Sequence, residues 1–300
     1  MTDTIPVIEV DQYQFLTHRK AQEEKHWAAH GNDPLDSILT VEVNATELCN
    51  RTCVFCPRHD PQVFPNRHLH MTPSGAKAIC ANLANDDYVY SGKVSFSGFG
   101  ENTLNKDFPL IVKVFRDALP DATLECNTNG DRLTAEYVQT LFNNGLDLLY
   151  INCYDGPEQM DYFSEMLESV DQSKYKFRMH WSQADHGLIL NNRSGTIDWV
   201  GVDEVDVESL KGKPCHYPFY KLFLDWNGDV LFCSNDWGRE HVVANLTQQT
   251  LREAWFSLPM NKIRKRLIEG DRSQSPCNKC SVDGTLFGQP SFDLIKKNMV

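Results

Sequence analysis

The chain has 300 residues, 41% of them hydrophobic, and a formal charge of −12 at pH 7. That length supports one large core or two modest ones, and the acidic balance argues against nucleic acid or an anionic membrane as the main partner. Apolar runs such as "PLIVKVF" (109–115) and "LDLLYIN" (146–152) are too short to span a bilayer, and no basic and then apolar leader opens the chain, so a soluble, cytoplasmic protein is expected.

In chain order, "YQFLTHRKAQEEKHWAAHG" (13–31) reads as an amphipathic helix within an N-terminal extension, residues 1–38. "LTVEVN" (39–44) is a short β-rich run that leads into "CNRTCVFC". Thr72 then offers an N-cap and Pro73 a first helical position. Strands follow at 93–98, 123–127, 147–153 and 175–181, alternating with helices at 108–119, 134–145 and 158–170, the second of these closed by Gly145. Strand and helix alternating at this pitch predict parallel βαβ units with right-handed crossovers, whose chemistry gathers at the C-terminal ends of the strands. The pattern breaks near residue 182, so the core is assigned to 39–182 and a second domain to 183–300. In that domain "FLDWNGDVLFC" reads as a hairpin on an Asn227-Gly228 type I′ turn. A helical segment over 250–270, broken at Pro259 and capped by Gly270, delivers the chain to "CNKC" at 277–280.

Ten cysteines in a chain without an export signal point to metal binding rather than a disulfide framework. Seven form two groups. Cys49, Cys53 and Cys56, spaced C-x3-C-x2-C, cannot close a tetrahedral site alone; they suit an iron–sulfur cube whose fourth iron binds something else. Cys215, Cys233, Cys277 and Cys280 suit structural zinc or a fully ligated cluster. Of the rest, Cys80 and Cys126 are placed in the core by default. Cys153 ends a strand and is expected to face the cavity.

"CNRTCVFC", with Phe55 before its third cysteine, resembles the signature of the radical S-adenosylmethionine (SAM) enzymes. The resemblance implies a partial (β/α) TIM-like barrel of five or six parallel strands. It also implies a [4Fe–4S] cluster on Cys49, Cys53 and Cys56 whose open iron binds SAM, and reductive cleavage of SAM to a 5′-deoxyadenosyl radical by a flavodoxin or ferredoxin. Gly100-Glu101 resembles the Gly-Glu motif that holds the SAM amino group, although the family usually has proline where this chain has Asn102. Asn129, in "CNTNG", falls near the SAM ribose. The C-terminal part resembles the twitch domain, a short α+β relative of the SPASM domain, with Cys215, Cys233, Cys277 and Cys280 around a second [4Fe–4S] cluster.

Together with "VEVNATELCNRTCVFCP" and "LILNNRSGTID", these features resemble twitch-type radical SAM alcohol dehydrogenases. In those enzymes an arginine at the position of Arg193 meets the reacting hydroxyl. A sugar or aminocyclitol is the implied substrate, with a peptide as the other possibility. Three readings follow: oxidation through the second cluster, epimerisation with Cys153 as hydrogen-atom donor, and a non-catalytic iron–sulfur or zinc scaffold.

Overall fold

The structure, a computed structural model, describes residues 12–31, 33–85, 87–180, 191–197 and 207–299. Its elements are α1 (Gln12–Ala29), β1 (Thr40–Val43), α2 (Pro73–Leu83), the short strands β2 (Ala84–Asn85) and β3 (Tyr88–Val89), β4 (Lys93–Phe96) and α3 (Phe108–Ala118). Next come β5 (Thr123–Thr128), α4 (Ala135–Asn143), β6 (Leu148–Cys153), α5 (Pro157–Met166) and β7 (Tyr175–Met179). The C-terminal part holds α6 (Tyr217–Tyr220), β8 (Lys221–Leu224), β9 (Asp229–Leu231), β10 (Val242–Asn245), α7 (Leu251–Trp255), α8 (Leu258–Ile268) and α9 (Gln289–Asn298).

The helices begin where the sequence chemistry places them. Thr72 and Thr134 accept from the backbone N–H of Gly75 and Tyr137, satisfying donors that a helix start leaves unpaired. Thr250 and Glu253 form a reciprocal capping box on α7. Pro259 lies in the first turn of α8, just past the break that separates it from α7.

Among the described residues β2 and β3 pair as a small separate ribbon, and the other strands form one sheet in the order β10-β9-β8-β1-β4-β5-β6-β7. Pairing is parallel from β8 through β1, β4, β5 and β6 to β7, so the parallel set has six strands. The sixth is "KLFL" of the hairpin, whose Thr40↔Lys221 register makes it the neighbour of β1. The hairpin thus extends the core sheet across the sequence boundary drawn near 182. Its turn also differs from the expected one. Gly228 N–H donates to Asp225 O (2.9 Å) and Asp225 N–H to Asp229 O (2.8 Å), closing a longer loop in which Gly228 takes left-handed backbone (φ 88°) and Asn227 does not. This is a type I turn followed by a left-handed glycine, not type I′.

Side chains alternate across each strand. On the outer face Val41, Val43, Val94, Phe96, Leu124, Leu149 and Ile151 are buried against the helices in one apolar core. The inner face is polar: Glu42, Ser95, Glu125, Asn127, Asn152, Arg178 and Lys221 all point into the curve of the sheet and hydrogen-bond there. At the N-terminal ends of the strands α1 crosses the sheet. His30 Nε2 lies 2.8 Å from Ser91 Oγ, and the Arg19 guanidinium lies over the Phe287 ring at 4.4 Å.

Candidate active site

A cavity of about 300 Å³ opens at the C-terminal ends of the parallel strands. Cys49, Cys53, Cys56, Phe55, Gly100, Glu101, Asn129 and Arg193 all line it, so residues spread over 145 positions of sequence meet at one place. The loop carrying the three cysteines leaves β1 and is pinned on both sides. Asn66 accepts from Cys49 N–H (3.0 Å) and donates to Cys49 O (2.8 Å). Arg51 forks onto Asp131 and Asp155, at 2.6 and 2.7 Å, and Asn50 donates to Asp131 (2.7 Å). Arg58, itself buried, donates to the carbonyls of Phe99 and Glu47. The loop is thereby fastened to the ends of β4, β5 and β6. None of these fastening residues stood out in the sequence; the signal available was acidic residues at 131 and 155, just past two strand ends.

Burial pushes all three thiols above their ordinary range, and neighbouring cysteines add to this for Cys53, which is pushed up to about 12. Thiols in such a place ionise only with a countercharge beside them, which iron would supply.

Gly100 sits where no side chain fits: a Cβ would lie 2.0 Å from Thr46 O and 2.9 Å from Leu48 O. Glu101 is 4% exposed and both its oxygens are engaged. Oε1 accepts from Thr103 N–H (3.2 Å), Thr103 Oγ1 (2.7 Å) and Thr128 Oγ1 (2.8 Å), and Oε2 from Asn129 N–H (2.7 Å). Burial still leaves its carboxyl above the usual glutamate value. Asn102, where the resembling family has proline, accepts from Ala45 N–H at 2.9 Å; an amide here ties the loop after β4 to the end of β1. Asn129 donates to Asn50 Oδ1 at 2.8 Å, linking β5 to the cysteine loop. Phe55 stacks on Tyr154 at 6.0 Å, and Tyr154 on His180 at 5.1 Å, making one aromatic wall.

Cys153 does not line this cavity. It is fully buried in the outer apolar core, and its neighbour Asn152 takes the inward position, donating to Thr128 O at 2.9 Å. Strand alternation decides this: the residue before Cys153 faces in, so Cys153 faces out. This corrects the expectation that it faces the cavity. Cys80 and Cys126 are likewise buried in the core.

A second, much smaller cavity is lined by Cys215, Cys233, Cys277 and Cys280. Gly284 packs on the first of them so closely that a Cβ would lie 2.4 Å from Cys215 Sγ. Asn235 N–H points at Cys233 Sγ, 3.4 Å away. Arg272 clamps the chain around the cavity through the carbonyls of Lys213 (3.2 Å), Pro214 (3.0 Å) and Val282 (2.8 Å). Burial raises the Cys215 thiol to about 11 and the Cys277 thiol to about 12. Among the described residues, no three His, Cys, Asp or Glu side chains converge on a single ion; both cysteine sets surround a volume instead.

The two cavities are neighbours. Tyr217 and Asn235 line both, while Arg193 lines the first and Ser194 the second. Arg193 and Ser194 adopt left-handed backbone (φ 45° and 58°), uncommon for residues with side chains and held only when the surroundings impose it. Asn192 imposes it here, donating to Lys279 O (2.7 Å) and accepting from Ser281 N–H (3.0 Å). Residues 188–190 and 198 of the "LILNNRSGTID" segment lie outside the described residues.

The model of the radical SAM superfamily matches residues 43–179, and that of the SPASM iron–sulfur cluster-binding domain matches residues 215–281. The chain is 29% identical over 256 residues to an S-adenosyl-L-methionine-dependent 2-deoxy-scyllo-inosamine dehydrogenase from Niallia circulans, covering 83% of this chain and 96% of that protein. It is 23% identical over 223 residues to a GTP 3′,8-cyclase from Pectobacterium atrosepticum, covering 72% and 63%. The crystal structure of BtrN in complex with AdoMet and 2-DOIA superposes with a TM-score of 0.70 at 26% identity, over 84% of this chain and 96% of that one. The structure of native anSMEcpe with bound AdoMet, at 13% identity and a TM-score of 0.53 over 87% and 95% of the two chains, shares the fold.

Proposed function

This chain is a radical SAM protein with a C-terminal SPASM domain, and on that footing we propose that it oxidises a secondary alcohol of a small sugar-like or aminocyclitol-like substrate. The observation that carries the reading is the adjacency of the two cavities through the Arg193-Ser194 turn. A group reacting beside Arg193 has the four-cysteine site as its neighbour. Likeness to the Niallia dehydrogenase supports the same reaction, and the SPASM match favours a cluster over zinc at the four C-terminal cysteines.

When bound, the cluster at Cys49, Cys53 and Cys56 with SAM supplies a 5′-deoxyadenosyl radical, and the cluster at Cys215, Cys233, Cys277 and Cys280 supplies the electron acceptor. The chain's own residues bind and orient. The Gly100-Glu101 segment would hold the SAM amino group and Asn129 its ribose, and the wall of Phe55, Tyr154 and His180 offers ring faces to a planar base. Arg193 offers only N–H donors and no acceptor; it orients the reacting hydroxyl and stabilises negative charge on its oxygen. Epimerisation with Cys153 as donor loses its support, because that thiol is buried behind the strand. The electron for SAM cleavage comes from a flavodoxin- or ferredoxin-type partner.

The test is stoichiometry. Anaerobically reconstituted protein given SAM, reductant and 2-deoxy-scyllo-inosamine, or related cyclitols, forms one ketone per 5′-deoxyadenosine. Substrate-dependent 5′-deoxyadenosine without any ketone contradicts the proposal.

A further inference from the structure

Oxidising an alcohol leaves a hydroxyl proton to be removed, a demand that rests on the reading above. Among the described residues, the cavity lining contains two carboxylates, Glu42 and Glu101. Glu101 already accepts from four donors. Glu42, on the floor, is engaged once at each oxygen: Oε2 by Lys221 Nζ at 2.7 Å and Oε1 by Ser97 Oγ at 3.0 Å. A carboxylate oxygen has room for a further partner, so Glu42 can still take a proton. Burial works to raise its carboxyl, but Lys221, Ser97 and the Arg193 charge outweigh that and keep it ionised below the ordinary glutamate value.

From Glu42 a hydrogen-bonded line runs down the inside of the sheet. Ser97 Oγ and Ser95 Oγ lie 3.3 Å apart, Ser95 Oγ donates to Glu125 Oε1 at 2.9 Å, and Lys93 Nζ meets that same oxygen at 3.3 Å. The register makes this line structural rather than incidental: Glu42, Ser95 and Glu125 stand at one level on three adjacent strands, with Lys93 one inward position below. Glu125 is 4% exposed, whereas the Lys93 side chain is 25% exposed. Lys93 borders a chamber of about 440 Å³ beneath α1, at the end of the sheet opposite the cavity.

We propose that Glu42 accepts the substrate's hydroxyl proton and that Ser97, Ser95 and Glu125 pass it along the inside of the sheet to the chamber at Lys93. The substrate O–H bond breaks as C=O forms, its carbon-bound hydrogen having left as an atom to the deoxyadenosyl radical and the remaining electron going to the SPASM-domain iron–sulfur cluster. Ser97 donates to ionised Glu42; once Glu42 is protonated the Ser97 hydroxyl turns toward Ser95, and Glu42 gives its proton to Ser97, Ser97 to Ser95 and Ser95 to Glu125. Each hydroxyl breaks one O–H bond and gains another, so both serines end unchanged. The proton then leaves Glu125 past Lys93, the residue of this line that borders the chamber, to water there. Serine hydroxyls can do this because each is both donor and acceptor.

The test uses the full reconstituted chain with 2-deoxy-scyllo-inosamine as probe, comparing wild type with Ser95→Ala and Ser95→Thr. Removing one relay hydroxyl is expected to lower the ketone-to-5′-deoxyadenosine ratio by at least about 10-fold, within the range that positioned proton transfer contributes, and to change the solvent deuterium isotope effect on ketone formation. Threonine, which keeps the hydroxyl, restores both. A second arm needs no turnover. Infrared titration of protein carrying carbon-13 glutamate is expected to show the Glu42 and Glu125 carboxyl bands moving together in wild type and separately in Ser95→Ala. A wild-type protein that makes no ketone sinks the alcohol-oxidation reading, leaving the infrared arm to decide the route. Unchanged ratio and isotope effect in Ser95→Ala, or carboxyl bands that the substitution does not alter, would overturn the proposal.

Discussion

A methyl group on Gly100 would meet the Thr46 carbonyl oxygen at 2.0 Å, a backbone atom that cannot swing away. Gly100→Ala is therefore expected to displace the loop after β4, and with it Glu101, weakening SAM binding by about 10-fold or more; overpacking of this kind commonly costs about 1–3 kcal/mol. Calorimetric titration of SAM into the reconstituted variant checks this. For the cysteines, changing Cys49, Cys53 and Cys56 together to alanine is expected to abolish 5′-deoxyadenosine formation while iron stays at the second site, read by iron analysis alongside chromatography. At this scale the sequence was most legible where a residue type has few other uses. The C-x3-C-x2-C spacing and the Gly100-Glu101 pair led to one cavity. Cys153 faces the core because strand parity puts it opposite Asn152; that one polar residue in the otherwise apolar Leu148–Cys153 run was the signal available for it.

Among the elements, the turn at Asn192–Gly195 and the hairpin strand β8 matter most. Asn192 makes the two bonds that lash the Arg193 turn to Lys279 and Ser281. At about 1 kcal/mol net each, Asn192→Ala is expected to raise KM for substrate by about 5- to 30-fold and leave SAM affinity intact. A KM equal to wild type would show that the turn keeps its shape unaided. Because β8 is the parallel neighbour of β1, truncation after residue 182 strips β1 of one partner and exposes an edge in the middle of the sheet. Such a fragment is expected to aggregate, which size-exclusion chromatography will show; a soluble, folded monomer would contradict the single-sheet account. The sequence did not reveal this pairing. "KLFL" followed by a turn and "DVL" is a complete hairpin by itself, and its second partner lies 181 positions back at Thr40. The polar inner face was available in the alternation of Glu42, Ser95, Glu125 and Asn127, but short apolar-looking strands drew attention to their outward residues.

For the molecule as a whole, two cysteine sets around two adjacent cavities imply two four-iron cubes, so about eight irons per chain are expected after anaerobic reconstitution. Replacing Cys215, Cys233, Cys277 and Cys280 by alanine is expected to halve that iron, lower thermal stability because the hairpin and C-terminal segment lose their tie, and stop ketone formation more severely than SAM cleavage. The order of strands and helices and the division of labour between the cysteine sets were legible because both follow from local pattern. The contact between the cavities was not, because it is made by a turn whose left-handed residues, Arg193 and Ser194, have ordinary side chains. The most direct test of the central claim is the fate of the carbinol hydrogen. With 2-deoxy-scyllo-inosamine and related cyclitols deuterated at the reacting carbon, run in ordinary water, the account predicts deuterium in 5′-deoxyadenosine and a ketone at the labelled carbon. Deuterium in 5′-deoxyadenosine with an inverted alcohol carrying solvent hydrogen, or no transfer from any cyclitol tried, would contradict it.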